Sequence, residues 1–103
     1  MDKVSQRKMP IKTEVIALTG DWDGWSFTAR TNAPISVLSD IASGEFQRII
    51  HGLAKVIRAW NFVDEEGGEC PAPSAASIGE LPLELVTAIA NAFVDELTKL
   101  PPV

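Results

Sequence analysis

The chain has 103 residues, a formal net charge of −5, 46% apolar residues and 22% charged ones. At that length it makes one domain that buries roughly 60–70% of its unfolded surface, which leaves little room for a deep private active site. The acidic balance makes nucleic acid a poor partner, because phosphate binding rests on clustered Lys and Arg, and no apolar run reaches the roughly 18 residues of a membrane span.

Residues 1–10 are polar, basic and aperiodic, and read as a flexible N-terminal arm ahead of a single domain over 11–103. Lys3, Arg7, Lys8 and Lys12 give this end a local positive charge. No apolar stretch follows it, so it does not read as a signal peptide. Over 11–18, Ile11, Thr13, Val15 and Ala17 alternate with Lys12, Glu14, Ile16 and Leu18, and both sets carry apolar residues. Trp25, Phe27 and Ala29 alternate with Ser26, Thr28 and Arg30. The dense turn signal Thr19-Gly20-Asp21-Trp22-Asp23-Gly24 lies between them, which predicts a β-hairpin. A lone two-stranded ribbon is marginal in water, so it must lie on helices or gain strands.

Pro34 suits a helix start, and Ile35, Leu38, Ile41 and Ala42 keep helical spacing up to a stop at Gly44. Phe46, Ile49, Ile50, Leu53, Val56, Ile57 and Trp60 then form one continuous stripe, which predicts a helix over 45–60. Residues 61–80 read as a loop, with Phe62-Val63 extended and Glu66-Gly67-Gly68-Glu69 as the turn of a small hairpin. Prolines keep Cys70 to Ser74 extended. Ser77-Ile78-Gly79-Glu80 has capping-box spacing for one short turn. Pro82 opens the last helix, with Leu83, Val86, Ile89, Ala90, Phe93, Val94, Leu97 and Leu100 as its stripe and Pro101-Pro102 as its stop. The fold expected is α+β, mainly α: an N-terminal β-hairpin packed on a three-helix core.

Catalytic chemistry finds no foothold. Cys70 and His51 are the sole residues of their types, so neither an internal disulfide nor a zinc site can form. Asp64, Glu65, Glu66 and Glu69 supply oxygen ligands, but without the alternating spacing of a calcium loop, and read as a solvated or partner-facing turn. Asp21 and Asp23 sit at a wet turn tip, where nothing splits their pKa values. Phosphate loops, dinucleotide fingerprints and nucleophile elbows are absent. No enzyme, metal or cofactor is expected. What stands out is spare apolar surface. Trp22, Trp25, Ile16, Leu18, Val37 and Val94 lie near the core stripes without falling cleanly on them, and are the candidate partner-binding residues.

The order of parts resembles a known family. The strand Phe27-Thr28-Ala29-Arg30-Thr31-Asn32-Ala33-Pro34 leads into Ile35-Ser36-Val37-Leu38. Ile57-Arg58-Ala59-Trp60-Asn61-Phe62 and the acidic turn Val63-Asp64-Glu65-Glu66-Gly67 follow, then Gly79-Glu80-Leu81-Pro82-Leu83-Glu84-Leu85. Together, over roughly residues 12–100, they resemble the tail assembly chaperones of long-tailed (siphovirus-type) bacteriophages. The resemblance implies a non-enzymatic role: binding and solubilising the tape measure protein in the bacterial host cytoplasm, with the tail tube protein as a further partner. It implies self-association around the partner and absence from the mature virion. Members are often made in two lengths by frameshifting, and the resemblance implies that this chain corresponds to the shorter form or to the N-terminal domain of the longer one. The rival reading is a structural tail completion or connector subunit that stays in the virion. A metal-binding module or small enzyme on the acidic turn is the third.

Overall fold

The computed structural model describes residues 10–99. Most of the expected arm, together with Leu100 and the Pro101-Pro102 stop, lies outside them. The described chain is an α+β domain. It runs β1 (Thr13–Ala17), a 3-10 turn (Gly20–Trp22), β2 (Ser26–Arg30), α1 (Ile35–Ile41), α2 (Phe46–Val56), β3 (Ile57–Trp60), α3 (Ala75–Gly79) and α4 (Leu83–Thr98). The strands form one antiparallel sheet in the order β1-β2-β3.

The β1–β2 hairpin forms where its alternation places it, with Ile16 opposite Phe27 and Val15 opposite Thr28. Gly20 at φ 67° and Gly24 at φ 93° supply the left-handed conformations the connection needs. Asn32 closes the open end: its Oδ1 accepts from the Lys12 amide at 3.1 Å and its Nδ2 donates to the Pro10 carbonyl at 2.7 Å.

The expected helix over 45–60 is corrected. α2 stops at Val56, and Ile57–Trp60 leaves it as β3, pairing Ile57 with Ala29, Ala59 with Thr28 and Trp60 with Phe27. The register shift between Thr28 and Ala29 is the physical reason the pattern misleads. A bulge places one extra residue, Arg58, on β3, so Ile57 and Trp60, three apart, both sit opposite the inward Ala29 and Phe27. A bulged strand thus carries the i, i+3 spacing of a helix. The hairpin thereby gains the third strand that a two-stranded ribbon lacks, and the sheet is larger than the expected hairpin on a three-helix core. Asn61 extends the pairing, its Oδ1 accepting from the Ser26 amide at 2.8 Å and its Nδ2 donating to the Gly24 carbonyl at 3.3 Å.

One core is built from Ile16, Leu18, Phe27 and Ala29 of the sheet side, Val37 and Ile41 of α1, Ile49, Leu53 and Val56 of α2, and Leu85, Val86, Ile89, Ala90 and Phe93 of α4. Ile57 of β3, Phe62 of the following loop and Ile78 of α3 join the same core. Three expected stripe residues are corrected: Ile35 is 82% exposed, Phe46 57% and Leu83 54%. Each is the first residue of its helix. Helical side chains lean toward the N-terminus, so the first one hangs past the end of the core. Pro34 and Pro82 sit just outside their helices as the flanking residue rather than as the first helical one. The capping box lies three positions earlier than expected. Ser74 Oγ accepts from the Ser77 amide at 3.1 Å, while Ser77 Oγ accepts from the Ser74 amide at 2.8 Å.

α1 and α2 cross closely because Gly52 is buried between them. A Cβ there would come 2.7 Å from Ile41 Cγ1 and 3.2 Å from the Val37 carbonyl. Arg48 Nε donates to Asp40 Oδ1 at 3.0 Å across the same crossing. Gly52→Ala should therefore destabilise the fold by about 1–3 kcal/mol through overpacking, although alanine is the better helix former. Urea unfolding checks it, and an unchanged or raised midpoint would mean the helices separate freely. Leu53→Ala, at a fully buried position, should cost about 2–5 kcal/mol by leaving a cavity.

Candidate protein-binding site

An aromatic row sets the site. Trp22 and Trp25 pack at 5.4 Å between ring centroids, Trp25 stacks on Phe62 at 5.2 Å, and Phe62 stacks on Trp60 at 4.8 Å. The hairpin places the first two: Trp22 ends the 3-10 turn, the Trp25 amide donates to the Trp22 carbonyl at 3.0 Å, and the Leu18 amide donates to the Trp25 carbonyl at 2.8 Å. Trp60 Nε1 donates to the Pro71 carbonyl at 3.0 Å, which pins the loop after Cys70 to β3. Phe62 is buried, whereas Trp22 and Trp25 are half-buried. Among the described residues, neither of those two indole N–H groups donates a hydrogen bond.

The exposed sides of Trp22 and Trp25 form one wall of a cleft of about 530 Å³. The acidic turn supplies Val63, Asp64, Glu65 and Cys70, and the joint between α3 and α4 supplies Glu80, Leu81, Pro82 and Leu85. The turn forms as its sequence suggests, as a small hairpin closed by the Val63–Glu69 bridge. Asp64 organises it, with Oδ1 accepting from the Glu66 and Gly68 amides, each at 2.9 Å. Asp64, Glu65 and Glu80 give the cleft carboxylates, and among the described residues no Lys or Arg lines it. The surface is apolar at its indole wall and negative at its rim.

Cys70 is the nearest nucleophile, and desolvation, then the Asp64 charge, push its thiol above its usual range. The thiolate is the reactive form, so this cysteine is poorly nucleophilic. Ser77 donates its hydroxyl to the Ala72 carbonyl at 2.7 Å and serves the α3 cap. Among the described residues, no group of three or more His, Cys, Asp and Glu side chains is placed to hold a metal ion. No helix among them is long and apolar enough to cross a membrane.

No family model, curated protein or solved structure matches the chain. The geometry therefore stands beside the sequence resemblance alone.

The candidate residues divide. Trp22 and Trp25 come together at the cleft. Ile16, Leu18 and Val37 are corrected: they are 4%, 3% and 6% exposed and belong to the core, so they offer a partner nothing in this state. Both faces of β1 carry apolar residues, and periodicity alone does not say which turns inward. Val94 is half-buried and lies elsewhere, in a hollow of about 650 Å³ between the α1–α2 corner and α4, with Phe46, Ile49 and Ala90. His51 is exposed, beside Arg48 and Lys55. Sequence reasoning missed Leu81, Pro82 and Glu80 as cleft residues. Their signal, the proline-flanked joint opposite an acidic turn, is visible only once the chain is folded.

Cys70 gives a direct check on the electrostatics of the rim. Its alkylation by iodoacetamide at pH 7.5 should run slower than that of an unhindered thiol, because a raised pKa leaves less thiolate. Asp64→Asn removes the second cause of that shift while keeping a turn-capping oxygen, so alkylation should quicken. A rate that Asp64→Asn leaves untouched would mean the two groups do not interact.

Proposed function

We propose that this chain is a non-enzymatic tail assembly chaperone of a long-tailed bacteriophage, and that it holds an apolar stretch of the tape measure protein in the tryptophan cleft. The observation that carries the reading is the pair of half-buried indoles beside a rim of carboxylates. The tape measure segment suited to it bears an apolar side chain flanked by Lys or Arg. The apolar group lies on Trp22 and Trp25, and the cation faces Asp64, Glu65 and Glu80 or the π-face of an indole. The ordered resemblance of the strand, acidic turn and Leu81-Pro82 helix start to that family supports the same role. In this reading the chaperone keeps the tape measure chain soluble in the bacterial cytoplasm, helps bring the tail tube protein to it, and leaves before the virion is complete.

Co-expression with the cognate tape measure protein, followed by pull-down and calorimetry, tests it. Trp22→Ala should weaken binding about thirtyfold, as expected for a buried aromatic anchor worth about 2 kcal/mol, and should lower the melting point by only about 4–8 °C through loss of the Trp22–Trp25 contact. Unchanged binding, or a variant that unfolds, would remove Trp22 from the site. In about 0.5 M NaCl the Debye length falls to about 4 Å, so affinity should drop but persist if the indoles provide the anchor. Mass spectrometry of purified virions separates this reading from its rival: a chaperone is absent, whereas a tail completion or connector subunit is present.

A further inference from the structure

β1 is an edge strand whose pairing is used on one side. Its even-numbered residues turn their backbone groups toward β2 and Asn32. The Leu18 amide donates to the Trp25 carbonyl at 2.8 Å, the Lys12 carbonyl accepts from the Thr31 amide at 2.8 Å, and the Lys12 amide donates to Asn32 Oδ1 at 3.1 Å. In an antiparallel strand the N–H and C=O of alternate residues point to opposite sides. Ile11, Thr13, Val15 and Ala17 therefore direct theirs outward, and no hydrogen bond among the described residues meets them there. Pro10, which lacks an N–H, falls on the even side and interrupts nothing on the free edge. The same edge exposes large apolar side chains, Ile11 at 60% and Val15 at 68%. Lys12 and Glu14 are exposed between them.

We infer that this free edge is a self-association surface on which a second copy of the chain adds its own β1, antiparallel and centred on Thr13. The charges select both the occupant and the register. Centring on Thr13 sets Lys12 opposite Glu14 of the second copy, twice by symmetry, at the non-hydrogen-bonded positions where side chains approach most closely. It sets Ile11 opposite Val15 of the second copy, so that the two exposed apolar residues pack side by side across the seam. Thr13 faces its own copy. Centring on Lys12 or on Glu14 opposes like charges, and centring on Val15 sets Lys12 against Leu18 and Glu14 against Ile16. Lys and Glu on an edge normally discourage pairing. Among the registers centred on residues 12 to 15 they favour the one on Thr13, and the result is an isologous two-fold contact that joins two three-stranded sheets into one. This surface is separate from the tryptophan cleft, and its test does not involve the cleft's partner.

Sedimentation equilibrium of the purified chain should show a concentration-dependent monomer–dimer equilibrium. Lys12→Glu or Glu14→Lys alone should raise the dimer dissociation constant about tenfold or more, and the double exchange should restore it. Both side chains are exposed, so circular dichroism should report an unchanged fold. In a Cys70→Ser background, Thr13→Cys should oxidise to a covalent dimer, because hydrogen-bonded partners have Cα atoms about 5.5 Å apart, within disulfide range. Val15→Cys should remain reduced. A chain that stays monomeric at millimolar concentration, a double exchange that recovers nothing, or faster cross-linking through Val15 than through Thr13 would each overturn the inference.

Discussion

Phe62 sits between two indoles, and much of the molecule is arranged around that sandwich. Its ring is almost wholly buried and stacks on Trp25 from the hairpin and on Trp60 from β3. Burial of such a side chain contributes about 1.5–3 kcal/mol, and each aromatic pair adds about 0.5–1.5 kcal/mol. The backbone of the same residue accepts the Cys70 amide at 3.1 Å. One residue thus fixes the hairpin turn, the end of the sheet and the start of the acidic turn relative to one another. Without it, Trp22 and Trp25 would have no rigid backing, and the carboxylates of the turn would have no fixed place opposite the α3–α4 joint.

The second constraint is the abrupt change from α2 to β3 with no loop between them. Val56 ends the helix, and Ile57, the next residue, is already extended at φ −75°, ψ 127°. Both side chains are buried. The helix delivers the chain directly to the free side of β2, and the bulge at Arg58 lets Trp60 reach Phe62. The sheet and the aromatic row are therefore consequences of one junction.

That junction is also where the sequence reads least clearly. The strand alternation of β1 and β2, the dense turn between them, the acidic hairpin and the wet face of α4 were all legible, because each depends on neighbours close in the chain. The break at Val56 was not, because a bulged strand and a helix can share the spacing of Ile57 and Trp60. Gly52 was equally opaque: its role depends on Val37 and Ile41 approaching from α1, and a helix-interior glycine carries no mark of that. Ser74 was hidden as a cap because the prolines around it spoke only of extended chain. At the cleft, Trp22, Trp25 and the acidic turn each stood out, but their juxtaposition with Glu80 and Leu81 is a long-range event.

The aromatic row has a spectroscopic corollary. The chain contains no tyrosine, and its tryptophans number three. All of them, Trp22, Trp25 and Trp60, belong to the single row through Phe62. The intrinsic fluorescence of the protein therefore reports on one row, in which Trp22 and Trp25 sense the wetness of the cleft wall and Trp60 the loop at Pro71. Trp22 and Trp25, tilted by 43° at 5.4 Å, also form a chiral pair of coupled chromophores. Their exciton bands overlie the helical signal in far-ultraviolet circular dichroism, so helix content read from that spectrum alone is biased by the geometry of two side chains.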